Sequence, residues 1–133
     1  MKNVLKVASA IFLGLFILTG CGVATVYNVK NNPVTSEKKL TKQDMYKAIY
    51  AAGATLGWKI TKVKDGLAQG QLNLRKHMAL VDISYNEKDY SITYNNSLNL
   101  NYDKEKGTIH NNYNGWILNL QKAINTQIQL LSM

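Results

Sequence analysis

The chain has one cysteine, one proline and one arginine among its 133 residues. A single thiol excludes an intrachain disulfide, so whatever folds here is held by its core alone. Histidine is nearly as scarce. His77 and His110 stand far apart, with no cysteine or carboxylate at ligand spacing to either, so no metal-binding pattern is present. No nucleophile elbow surrounds a serine: Ser84 lies between Ile83 and Tyr85, and Ser97 between Asn96 and Leu98. Asp65, Asp82, Glu87 and Asp89 are the carboxylates from which a glycosidase pair would be drawn. Three of them fall in or beside turns, where charge serves solubility. Internal repeats and low-complexity blocks are missing as well. The sequence therefore names no catalytic residue, no metal ligand and no cofactor.

What is present begins at the amino terminus. Lys2 and Lys6 precede Val7 to Leu18, an apolar run broken only by Ser9 and Gly14. This is the basic region and hydrophobic region of a signal peptide. It ends in Leu18-Thr19-Gly20-Cys21, an aliphatic residue, two small residues and a cysteine. The segment resembles the lipobox of bacterial lipoproteins. The resemblance implies cleavage between Gly20 and Cys21, with residues 1–20 removed, and acylation of the Cys21 thiol and of the new amine. Gly22 follows, where an aspartate would resemble an inner-membrane retention signal. The implied location is a membrane-anchored one in the cell envelope, on the periplasmic face of the outer membrane in a cell with two membranes. Val7 to Tyr27 is also uncharged for twenty-one residues, long enough for an uncleaved signal anchor. Thr19, Gly20, Gly22 and Thr25 weaken that alternative in its second half.

Removing Lys2 and Lys6 leaves 14 basic against 8 acidic residues, a net +6. A positive surface can face anionic headgroups, peptidoglycan carboxylates or an acidic partner. The lysines are scattered, as on a solvated surface, and an envelope location argues against nucleic acid as the partner. Eight Tyr and two Trp supply core volume and polar tips at its rim.

Along the chain, Cys21 to Leu40 reads as a lipidated cysteine followed by a flexible tether. It is polar, carries Pro33, and shows no sustained period. Residues 41–133 read as one globular domain. Thr41 and Asp44 form a capping-box pair, and Met45, Ile49, Ala52 and Leu56 make a helical stripe that Gly57 ends. The period then changes to two. Trp58 to Lys64 is a strand in which Ile60 and Val63 share a face only across a bulge, and Asp65-Gly66 marks a hairpin. Apolar residues alternate from Ala68 to Leu74, from Ala79 to Tyr85 and from Tyr90 to Tyr94. Pairing Leu74 with Ala79 and Tyr85 with Tyr90 keeps those faces together. Asn95 to Gly107 is polar and extends the last strand past a kink. Ile109, Tyr113, Trp116, Leu120, Ile124, Ile128 and Leu131 form a second helical stripe. The expected fold is α+β, a two-layer sandwich in which two terminal helices cover one face of a four-stranded antiparallel meander.

Those registers gather Arg75, His77 and Ser97 at one edge of the sheet, where Trp58 also opens its strand. His110, Tyr113 and Asn114 join them if the second helix begins there. Such a group suits a carboxylate or a sugar, with Arg75 forking onto the anion. The same residues also suit plainer roles: a solvated arginine, a capping histidine and a core tyrosine. The expected function is non-enzymatic, a lipid-anchored protein binding another envelope protein or a cell-wall component such as peptidoglycan. The alternatives are a hydrolase or transferase acting on an envelope polymer through the Arg75/His77/His110 edge, and a small-ligand carrier.

Overall fold

The computed structural model describes residues 22–133. Residues 1–21, with Leu18 to Gly20 and Cys21 among them, lie outside the described residues. The elements are β1 (Val23–Thr25), β2 (Val29–Pro33), α1 (Lys42–Thr55), β3 (Lys59–Lys64), β4 (Leu67–Leu74), β5 (His77–Tyr85), β6 (Asp89–Leu98), β7 (Thr108–His110) and α2 (Asn111–Leu131). The fold is α+β. Its main sheet is antiparallel, with strand order β2-β6-β5-β4-β3, and β1 pairs separately with β7.

Local chemistry sets most of these boundaries. Thr41 Oγ1 accepts from the Asp44 N–H at 3.1 Å, and the Asp44 carboxylate accepts from the Thr41 N–H at 3.0 Å, so two of the orphan donors of α1 are satisfied. Gly57, at φ +84°, ends that helix, and Gly66, at φ +83°, turns β3 into β4. Ala68, Ala79, Val81, Ile83, Tyr90 and Ile92 are buried, while their neighbours in sequence face outward, which is the two-residue period of a half-covered sheet. α1 and α2 pack on each other over the buried face, through Met45, Ile49 and Ala52 from one and Tyr113, Ile117, Leu120 and Ile124 from the other.

Four expectations are corrected. The sheet has five strands, because the segment read as a tether supplies two strands of the fold. β1 pairs with β7 in the register Val23↔His110, and β2 lines the edge of β6 in the register Val29↔Ile92. A polar network ties it down: Tyr27 Oη donates to Gln121 Oε1 at 2.8 Å, Gln121 Nε2 to Asn32 Oδ1 at 2.8 Å, and Asn32 Nδ2 to Asn125 Oδ1 at 3.0 Å. The segment lacks a local signal because its stability comes from partners about ninety residues away. The β4–β5 hairpin pairs Leu74 with His77 and Leu72 with Ala79, two residues tighter than expected. Arg75 makes this possible by taking φ +56°. The faces are unchanged, since a shift of two preserves parity. β3 does bulge between Lys62 and Lys64, but Val63 is exposed and does not share the face of Ile60. Finally, Ile109 belongs to β7 and Ile117 takes the core position beside a half-buried Trp116, while Tyr113, Leu120, Ile124 and Ile128 of the expected stripe are buried and Leu131 is exposed.

Candidate functional site

The edge expected to gather polar residues does collect their backbone. β4 ends and β5 begins at Arg75-Lys76, and β6 reaches the same edge at Leu98, past a register shift at Asn95. Asn99 then clamps the turn: its side-chain amide donates to the Lys76 carbonyl at 2.6 Å, and its own carbonyl lies 2.8 Å from His77 Nδ1. The His110 N–H donates to the Leu100 carbonyl at 2.8 Å, so α2 begins at this end of the molecule.

The side chains do not converge. His110 Nδ1 accepts from the Asn112 N–H at 3.1 Å and so serves as the N-cap of α2. Asn114 accepts from the Tyr27 N–H at 2.9 Å and donates to the Thr25 carbonyl at 2.8 Å, pinning the β1–β2 connection to the helix. Tyr113 is fully buried, its hydroxyl has no partner, and burial pushes its phenol well above the ordinary tyrosine range. Ser97 Oγ is 2.7 Å from Tyr94 Oη. Tyr94 stacks on Tyr102 at 4.0 Å between centroids and meets Tyr113 edge-on at 5.8 Å. Ser97 and Tyr113 are therefore joined through Tyr94 in the packing beside β6. Arg75 and His77 stay at the turn outside. Grooves open elsewhere: one of about 460 Å³ lies between Asn32, Pro33 and Thr35 and the last turns of α2, at the other end of the molecule. Among the described residues, no three His, Cys, Asp or Glu side chains gather as metal ligands.

A second polar surface lies beyond the expected edge. The outer face of the main sheet carries side chains that alternate with the core residues. Across β4, β5 and β6, Gln69 lies opposite Asp82 and Asp82 opposite Thr93, while Gln71 lies opposite Leu80 and Leu80 opposite Asn96. Leu67, Ser84 and Ser91 form the next row. The Asp82 carboxylate accepts from Asn95 Nδ2 at 3.0 and 3.1 Å and from Gln69 Nε2 at 3.4 Å. The face thus mixes amides and hydroxyls with Leu67, Leu80, Met78 and Leu98, with one carboxylate held near its centre and Lys59 and Lys64 along its β3 margin. The sequence signal for it is the alternation of β4 to β6, whose polar residues point this way. The amides Gln69, Gln71, Asn73, Asn95 and Asn96, gathered around one carboxylate, are what set it apart from an ordinary lysine-rich solvated face. Comparison with protein-family models, with curated proteins and with solved structures finds no match for this chain.

Proposed function

We propose that this chain is a non-enzymatic, lipid-anchored protein of the cell envelope that binds a cell-wall component through the outer face of its main sheet. The anchor rests on Leu18-Thr19-Gly20-Cys21, with Cys21 the acylated residue and Gly20–Cys21 the cleaved bond. The same reading places the protein on the periplasmic leaflet of the outer membrane where the cell has one. The binding role is carried by one observation: an open sheet face on which amides and hydroxyls surround a single carboxylate, with leucines between them and lysines only along the β3 margin. An apolar partner there would strand amides and hydroxyls, each at about 1–3 kcal/mol. A polymer of hydroxyls and amides satisfies them. Asn95 and Gln69 donate N–H groups to Asp82, which leaves their amide oxygens as acceptors for such a partner. The alternative of a hydrolase or transferase at the Arg75/His77/His110 edge has less support, because His110 is engaged in capping and Ser97 packs with Tyr94.

Co-sedimentation of the full chain with purified cell-wall sacculi tests this. The Asp82→Ala, Asn95→Ala double variant removes two adjoining hydrogen-bonding groups. It is expected to weaken binding about tenfold, the equivalent of about 1.4 kcal/mol, with the melting temperature little changed. Wild-type protein that stays in the supernatant, or a double variant that sediments as the wild type does, refutes the assignment of this face.

A further inference from the structure

The described chain enters the fold at Gly22, one residue beyond Cys21. The Gly22 carbonyl accepts from the Asn111 N–H at 3.0 Å, and Val23 is already paired with His110. An anchor on Cys21 therefore has no slack, and it fixes which end of the domain meets the membrane. Hydrogen bonds trace that end across the molecule, from Gly22 to Asn111, from His110 to Leu100, and from Asn99 to the Lys76-His77 turn. The start of β3 belongs to it too, since Lys59 pairs with Gln71 near the end of β4, and α1 stops at Thr55 just before.

This end differs from the opposite one in two respects. It exposes large apolar side chains: Leu98 at 57%, Leu74 at 46%, Val23 at 41% and Leu56 at 38%. The charged side chains of its turn and strand ends, Lys59, Arg75 and Lys76, are positive and exposed, while the loop that leads from Asn99 back to β7 carries Asp103 and Glu105 together with Lys104 and Lys106. The opposite end also exposes Leu130 and Met133, but there Glu37, Asp44, Asp65, Glu87 and Asp89 mix with lysines.

We propose that this end is a membrane-seating surface. Leu74 and Leu98 enter the boundary between headgroups and acyl chains, and Arg75 and Lys76 lie against anionic headgroups. The proposal rests on the anchoring reading above. Exposed leucines beside exposed basic residues are the composition of an interfacial contact. Near an anionic leaflet each basic side chain raises affinity about fivefold. Seating this end holds the domain upright and leaves the amide-rich sheet face open to the side. It also gives Arg75 a reason to keep its left-handed backbone where glycine would be unstrained.

The test uses the full chain in vesicles of phosphatidylcholine with phosphatidylglycerol. Leu74→Cys, Leu98→Cys and, at the far end, Glu87→Cys are each labelled with an environment-sensitive fluorophore. Lipids carrying nitroxide on the acyl chain then quench it. Labels at positions 74 and 98 are expected to be quenched several-fold more than the label at 87, and Arg75→Glu with Lys76→Glu is expected to reduce that difference. Equal quenching at all three positions overturns the seating. Intact mass keeps the two readings apart. An acylated chain starting at Cys21 with equal quenching sinks the seating and leaves the anchor. A chain that retains residues 1–20, with Cys21 labelled and with selective quenching at 74 and 98 above that background, sinks the lipidation and leaves the seating.

Discussion

One substitution, made in two helices, is expected to act with opposite sign. Gly53 sits in α1 where the helix crosses the start of β3. A Cβ built there would lie 2.5 Å from Ile60 Cγ1, 2.7 Å from Ile60 Cδ1 and 3.4 Å from Trp58 Cβ. Ile60 and Trp58 are both buried, and the Gly53 carbonyl accepts from the Trp58 N–H at 2.9 Å, so the helix and the strand are held at this spacing. Alanine gains about 0.5–1 kcal/mol over glycine from backbone entropy in a helix. Forcing a methyl against the branched carbons of Ile60 costs about 1–3 kcal/mol in displaced side chains and backbone. The net expectation for Gly53→Ala is a loss of about 1–2 kcal/mol. Gly115 lies in α2, where an added Cβ would meet nothing within 4 Å, so Gly115→Ala keeps the helix gain in full. For a domain of this size about 1 kcal/mol corresponds to roughly 4 °C in melting temperature. Thermal unfolding followed by circular dichroism should place Gly53→Ala about 4–8 °C below the wild type and Gly115→Ala about 2–4 °C above it. A Gly53→Ala protein as stable as the wild type would refute the close approach of α1 to Ile60. A destabilised Gly115→Ala protein would mean that something covers that face of α2.

Two further predictions concern polar groups. Tyr90 Oη donates to Asn125 Oδ1 at 2.7 Å, whereas the Tyr113 hydroxyl is buried without a partner. Tyr90→Phe should cost about 0.5–1.5 kcal/mol and Tyr113→Phe nothing or less than nothing, by urea unfolding; equal losses would show that Tyr113 has a partner after all. In acid, the Asp44 carboxyl is held below its usual range by the Thr41 N–H and hydroxyl, and the Asp65 carboxyl by the Lys42 ammonium at 2.9 Å. Groups with lowered folded values stabilise fully above their unfolded value of about 4 and lose that contribution as pH falls through the folded one. Melting temperature should therefore stay level near neutrality and fall below about pH 4, and the gap between wild type and Asp44→Ala should narrow there; a gap that widens in acid would contradict the capping role.

Residues that act on near neighbours carry their structure in the sequence. Thr41 and Asp44 cap each other across three positions, Asp65-Gly66 turns within itself, and the apolar alternation from Ala68 to Tyr94 needs only a sheet with one covered face. For that reason the α+β class, the two helices and the meander of β3 to β6 are legible in the sequence. The edge carrying Arg75, His77 and Ser97 follows from the order of the hairpins, which is why it survives a register shifted by two residues.

The rest depends on distant partners. Val23–Thr25 is too short, and Val29–Pro33 too polar, to announce itself as a strand. They are strands because β7 and the open edge of β6 offer backbone partners, and because Gln121 and Asn125 receive Tyr27 and Asn32. His110 is free for a ligand by its spacing alone, but the fold sets its ring over the first turn of α2. Trp116 is central to the helical stripe, but Ile117 takes the place beneath the sheet. Sequence by itself determined where the two helices and β3 to β6 form, through hydrogen bonds and periodicities that act over a few residues. Tertiary structure alone decided that the segment from Gly22 onward is part of the fold, that the side chains of the candidate edge do not converge, and that Gly22 lies at the same end as the Arg75-Lys76 turn. Those outcomes turn on which distant surface satisfies a backbone or a side chain, a choice that no local spacing encodes.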